Sequence, residues 1–139
     1  MSAIHARSAT TKRILYIEYN EDCCQMLAAL LGYAGYEVDT AATVAAGLRL
    51  TRRERFDLLI LGSRYPDGTG VELCRKLRAF DPDIPIVFYS SAAYEADIQA
   101  GLAAGAQVYL TKPLGVKTIE QTIAGLLGGM MEARLYENR

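Results

Sequence analysis

Phe56-Asp57-Leu58-Leu59-Ile60-Leu61-Gly62-Ser63-Arg64-Tyr65-Pro66-Asp67-Gly68-Thr69-Gly70 is the stretch from which the fold of this chain is read. Leu58 to Leu61 is an unbroken apolar run between turn residues, the pattern of a central strand in a parallel sheet covered on both faces. Pro66-Asp67-Gly68 is turn punctuation, and the periodic segment after Gly70 reads as a helix. In such sheets ligands sit beyond the carboxyl ends of the strands, so the residue that ends this strand faces any site. That residue is Gly62, which has no side chain to react with anything.

Upstream, Ile14-Leu15-Tyr16-Ile17 is a β-rich run, and Asn20-Glu21-Asp22 supplies a polar helix start. Met26, Leu27, Leu30, Leu31 and Ala34 then recur at helical spacing, with Gly32 and Gly35 marking the helix end. Residues 36–40 alternate as a strand, and Thr43 caps a second helix carrying Val44 and Leu48. Downstream, Val71, Leu73, Cys74, Leu77 and Phe80 line a third helix that stops at Asp81-Pro82-Asp83. Residues 84–89 form a further strand, with Pro85 near its beginning, and Ser90-Ser91 leads into a helix over about 94–103. Gly105 breaks that helix, 106–110 is the fifth strand, and Val116, Ile119, Ile123, Leu126 and Leu127 mark the last helix. Strands alternating with helices across short loops predict an α/β fold with a doubly wound, five-stranded parallel sheet. The expected organisation is a flexible arm over 1–11, one domain over 12–127 and a C-terminal extension over 128–139.

The chain has 139 residues, 51% hydrophobic and 22% charged, which suits a globular domain with a real core. A net charge of −1 gives no overall field to attract nucleic acid or an anionic membrane. Arg49, Arg52, Arg53 and Arg55 are interrupted by Glu54 and lack interleaved aromatics, so they read as a solvated helix face. No apolar run approaches the roughly 20 residues of a membrane helix, and a cytoplasmic location is expected. Cys23, Cys24 and Cys74 form no CxxC pair and are expected as reduced thiols. The only histidine, His5, lies in the N-terminal arm, so no histidine-based metal site or general base is expected.

Taken in order, these segments resemble the receiver domains of bacterial two-component response regulators. Ile14 to Glu18 is similar to the first strand with its acidic pair; Phe56 to Leu61 and Pro66 to Gly70 are similar to the third strand and its turn. Pro85 to Ser90 is similar to the strand that ends in a switch hydroxyl. Gly105-Ala106 through Tyr109-Leu110-Thr111-Lys112-Pro113 is similar to the switch aromatic and lysine segment. The resemblance runs from about Lys12 to Leu127 and implies strand order 2-1-3-4-5, with Glu18 and Gly62 flanking the pocket.

In that family a carboxylate on strand three accepts a phosphoryl group, and an acidic pair on strand one holds magnesium. A hydroxyl and a lysine stabilise the phosphoryl group, and the aromatic reports it. The resemblance carries these roles to Glu18, Ser90, Tyr109 and Lys112. It also implies two losses, because Gly62 stands at the phosphoacceptor position and Tyr19 at the second acid. Aspartyl phosphorylation is therefore not expected, and neither is magnesium or any other cofactor. Glu18 is expected to pair with Lys112 or to bond Ser90, and Tyr19 to lean into the vacated space. Ser63 is expected on the other side of the strand end, and Asp67 in turn chemistry.

The reading that follows is a pseudo-receiver, not an enzyme: a stand-alone, phosphorylation-independent interaction module. The resemblance implies a working face over 94–107 and 116–127, with Tyr94, Gln99, Gln107, Lys117 and Gln121 on it and Tyr109 as a fixed, half-buried aromatic. The partners expected are a histidine kinase, a phosphotransfer protein, another regulator or a second copy of the chain. The alternative is an active phosphorelay receiver using an unusual acceptor. A flavodoxin-like enzyme is disfavoured, since Glu18-Tyr19-Asn20-Glu21-Asp22 is no phosphate-cradling glycine loop.

Overall fold

The structure, a computed structural model, describes residues 11–128. His5 and most of the expected N-terminal arm and C-terminal extension lie outside the described residues. Five strands, β1 (Arg13–Ile17), β2 (Glu37–Ala41), β3 (Leu58–Leu61), β4 (Ile86–Ser90) and β5 (Val108–Thr111), form one parallel sheet in the order β2-β1-β3-β4-β5. The helices are α1 (Glu21–Tyr33), α2 (Val44–Arg53), α3 (Gly70–Phe80), α4 (Glu95–Ala103) and α5 (Val116–Leu127). The expected α/β class and strand order both hold. Register aligns Ile17 with Leu61 and Leu61 with Phe88, so the ends of β1 and β3 open side by side where the strand order reverses.

Because strand side chains alternate, each central strand feeds two cores. Leu15, Ile17, Leu59, Leu61, Ile86 and Phe88 pack with Val44 of α2 and with Leu73, Cys74 and Leu77 of α3. Ile14, Tyr16, Leu58, Ile60 and Val87 meet Leu27 and Leu31 of α1 and Ile119 and Ile123 of α5. Leu58 to Leu61 are all at most 1% exposed, which is why this run carries no polar alternation.

Several helix residues expected on the apolar side face outward. Met26 is 62% exposed and Phe80 58%, and Leu30 is also exposed. In α1 the apolar residues span a wider arc than one sheet can cover, so Leu27 and Leu31, one turn apart, are buried while Met26 and Leu30 are not. In α4 the buried position is Gly101, where an added Cβ would lie 2.8 Å from Tyr109 Cδ2 and 3.2 Å from Phe88 Cδ1. Helix ends match expectation, since Gly35 and Gly105 take φ of 102° and 121°, a region glycine enters without a Cβ clash.

The turn at Pro66-Asp67-Gly68 closes a small antiparallel hairpin of Arg64–Tyr65 with Gly68–Thr69. Asp67 does more than shape that turn. Its Oδ1 and Oδ2 accept the backbone N–H groups of Val44 and Ala45 at 2.9 and 3.0 Å, capping α2 beside Thr43. These two donors hold the Asp67 carboxyl below its usual range.

Candidate functional site

The carboxyl ends of β1, β3, β4 and β5 surround an open cleft of about 570 Å3 whose lining includes Glu18, Gly62, Ser63, Arg64, Ser90 and Lys112. Glu18 is 8% exposed, and a buried carboxylate is tolerated only when its oxygens are bonded. Glu18 Oε2 accepts from the Asn20 backbone N–H at 2.8 Å. Its Oε1 accepts from Lys112 Nζ at 3.3 Å and from the Tyr16 hydroxyl at 3.4 Å. The expected Glu18–Lys112 pair is thus formed, and the Lys112 ammonium also lies 5.1 Å from the centroid of the Tyr89 ring.

Gly62 directly follows β3 inside this arrangement. A Cβ built on it would lie 3.0 Å from Glu18 Oε1 and 3.7 Å from the Tyr65 hydroxyl. Tyr65, 8% exposed, reaches back from the hairpin, accepting from the Gly62 N–H at 2.8 Å and donating to the Ile17 carbonyl at 2.8 Å. Burial is the main cause that pushes the Tyr65 phenol well above its usual value. Tyr65 was not among the sequence candidates; its one signal is an aromatic three residues after a strand-ending glycine.

Two expectations about this pocket fail. Tyr19 is 58% exposed and is not part of the cleft lining, because Glu18 turns inward and the next residue faces the opposite way. Glu18 and Tyr65 occupy the space that Tyr19 was expected to fill. Ser63 does not point to the far side: its Oγ accepts a 2.7 Å hydrogen bond from Ser90 Oγ within the cleft lining. The sheet ladder of β3 stops at Leu61, so strand alternation no longer governs where Ser63 points.

Ser90, 2% exposed, also accepts from the Ala92 N–H at 2.9 Å. The carbonyl of Ala92 takes the Tyr109 hydroxyl at 2.6 Å, and the Tyr109 ring stacks on Phe88 at 5.1 Å and 15°. Tyr109 is half-buried and fastened, as expected. The surface candidates Tyr94 (84% exposed), Gln99, Gln107, Lys117 and Gln121 are all exposed. The Gln107 side chain is also hydrogen-bonded. Its side-chain oxygen accepts from the Ile86 N–H at 2.8 Å and from Arg78 at 3.1 Å, where β4 begins, at the opposite end of the sheet from the cleft. A polar residue on the rim of a sheet can be exposed and still satisfy a strand-end donor.

The cleft lining holds two carboxylates, Glu18 and Asp97, where a hard divalent cation takes several oxygen ligands. Both Glu18 oxygens are engaged, and Asp97 of the same lining accepts from the Tyr94 N–H at 3.2 Å. Among the described residues no three His, Cys, Asp or Glu side chains cluster as metal ligands. Cys23, Cys24 and Cys74 are unbridged.

Residues 14–124 match the response regulator receiver domain. The chain is 34% identical over 118 residues to the transcriptional regulatory protein PrrA of Mycobacterium tuberculosis, covering 85% of this chain and 51% of that protein. It is 33% identical over 115 residues to the response regulator MprA of Mycobacterium leprae, covering 83% and 50%. The chain thus spans about half the length of these relatives. Among solved structures, a CheY-like receiver domain protein from Methanospirillum hungatei superposes with a TM-score of 0.83 at 27% identity, over 90% of this chain and 98% of that one. A two-component response regulator from Clostridium difficile gives 0.83 at 28% identity, over 86% and 98%. No described helix is long and apolar enough to cross a membrane.

Proposed function

The chain belongs to the response regulator receiver family, and from that premise we propose that it works as a phosphorylation-independent interaction module of two-component signalling. The observation that carries this reading is Gly62, at the end of β3, with the Glu18 carboxylate leaning to within 3.0 Å of where a side chain would begin. A glycine supplies no nucleophile for phosphoryl transfer. Lys112 is already neutralised by Glu18, and with Tyr19 turned to solvent there is no acidic pair to hold magnesium.

In this reading the domain acts in the cytoplasm by docking, through the exposed residues of α4 and α5 near Tyr94, Gln99, Lys117 and Gln121, onto a histidine kinase, a phosphotransfer protein, another regulator or a second copy of itself. It needs no cofactor and catalyses nothing. Incubation with a small-molecule phosphodonor and magnesium, followed by intact mass, is expected to leave the mass unchanged. A second reading, an active receiver with an unusual acceptor, is favoured by the Ser63 hydroxyl, which lines the cleft. An added phosphate that disappears in Ser63→Ala would establish that reading and end the first.

A further inference from the structure

We infer that Ser63 is an internal lock on the switch: its hydroxyl holds Ser90 as a bound anion otherwise would, and through Ala92 and Tyr109 it fixes the surface between β4 and α4 in one arrangement. This rests on the phosphorylation-independent reading above. Ser90 is 2% exposed, and a buried hydroxyl is costly unless its proton has an acceptor. Ser63 Oγ, 2.7 Å away, is that acceptor, and it comes from the chain itself. A hydroxyl has a single proton, so Ser90 cannot also offer it to a ligand in the cleft.

The remaining links are continuous. Ser90 Oγ holds the N–H of Ala92, and the Tyr109 hydroxyl holds the carbonyl of the same residue, so Ala92 is gripped on both sides. Tyr109 is in turn stacked on Phe88, and both rings lie against Gly101, where an added Cβ would meet them. Two residues further along, Tyr94 is the exposed N-cap of α4. Lys112 is satisfied in the same way by Glu18. The hydroxyl and the ammonium that line the cleft are therefore both occupied from within, and the segment that leads to Tyr94 is set without any external group. Ser63 acts through Ser90 and is a positioning residue.

The test is amide exchange by NMR on the full chain, comparing wild type, Ser63→Ala and Ser90→Ala. Loss of one neutral hydrogen bond is expected to speed exchange at Ala92 about fivefold in Ser63→Ala and to shift the Tyr109 ring signals, with the core amide of Leu59 unchanged. Ser90→Ala should reproduce both effects. Ala92 exchange in Ser63→Ala within about twofold of wild type would overturn the inference. So would acceleration matched at Leu59, which reports general loosening. The phosphodonor assay is separate: an adduct removes the phosphorylation-independent reading, whereas the exchange data decide the lock.

Discussion

Glu18 Oε1 lies 3.0 Å from the position a Cβ on Gly62 would take, so the carboxylate of one strand end fills the space left by the missing side chain of the next. The two positions are coupled in space although they lie 44 positions apart in the chain, and what one can tolerate depends on the other.

Placing an acid at this position is therefore expected to destabilise the fold. Gly62→Asp would bring a second carboxylate against Glu18, combining steric crowding with like-charge repulsion. The expected cost is about 1–3 kcal/mol by chemical denaturation. An Asp variant as stable as wild type would mean that Glu18 swings away at no cost.

The Glu18–Lys112 pair should respond asymmetrically to removal of its members. Lys112→Met leaves a nearly buried carboxylate short of its cation and should destabilise by about 1–3 kcal/mol. Glu18→Gln leaves Lys112, whose side chain is 20% exposed and can turn to water, and should cost less. Urea unfolding of both variants and of the double variant measures the coupling.

Gly101 faces Tyr109 because the ring needs the room. Gly101→Ala gains about 1 kcal/mol of helix propensity but puts a methyl 2.8 Å from Tyr109 Cδ2. Overpacking costs of about 1–3 kcal/mol are expected to win or to expel the ring. Either a lowered thermal midpoint or loss of the Tyr109 contact with Ala92, seen in the Tyr109 ring signals, is the expected result.

Asp67 ties the hairpin to α2 and should make stability depend on pH. Its folded value is depressed by the Val44 and Ala45 N–H groups, so its contribution is fully present above the unfolded value of about 4. The contribution is lost as pH falls through the lower folded value. Asp67→Ala should melt below wild type at pH 7, and the two melting curves should converge as pH drops below about 4. A constant gap across that range would assign the effect to packing.

Much of this architecture was legible because it rests on local rules. The apolar run from Leu58 to Leu61 and the Thr43 cap were readable from neighbouring residues alone, as were the helix ends at Gly35 and Gly105. The Glu18–Lys112 pair was reached through family resemblance. Local rules failed where direction was at stake. Helical spacing grouped Met26 and Leu30 with Leu27 and Leu31, yet only the latter two face the sheet. Tyr19 read as pocket and faces water.

By itself the sequence determined that the strand from Leu58 is central and that Gly62, which has no side chain, follows it. Those are matters of residue type and period, which hold wherever the segment lies. Only the tertiary structure decided what surrounds that glycine: Glu18 leaning over Gly62, Tyr65 folding back to it, and Ser63 receiving the proton of Ser90. These contacts join residues from separate strand ends, beyond the point where strand alternation fixes a side chain's direction. Which buried polar group finds which partner is settled there by the packing of the whole sheet.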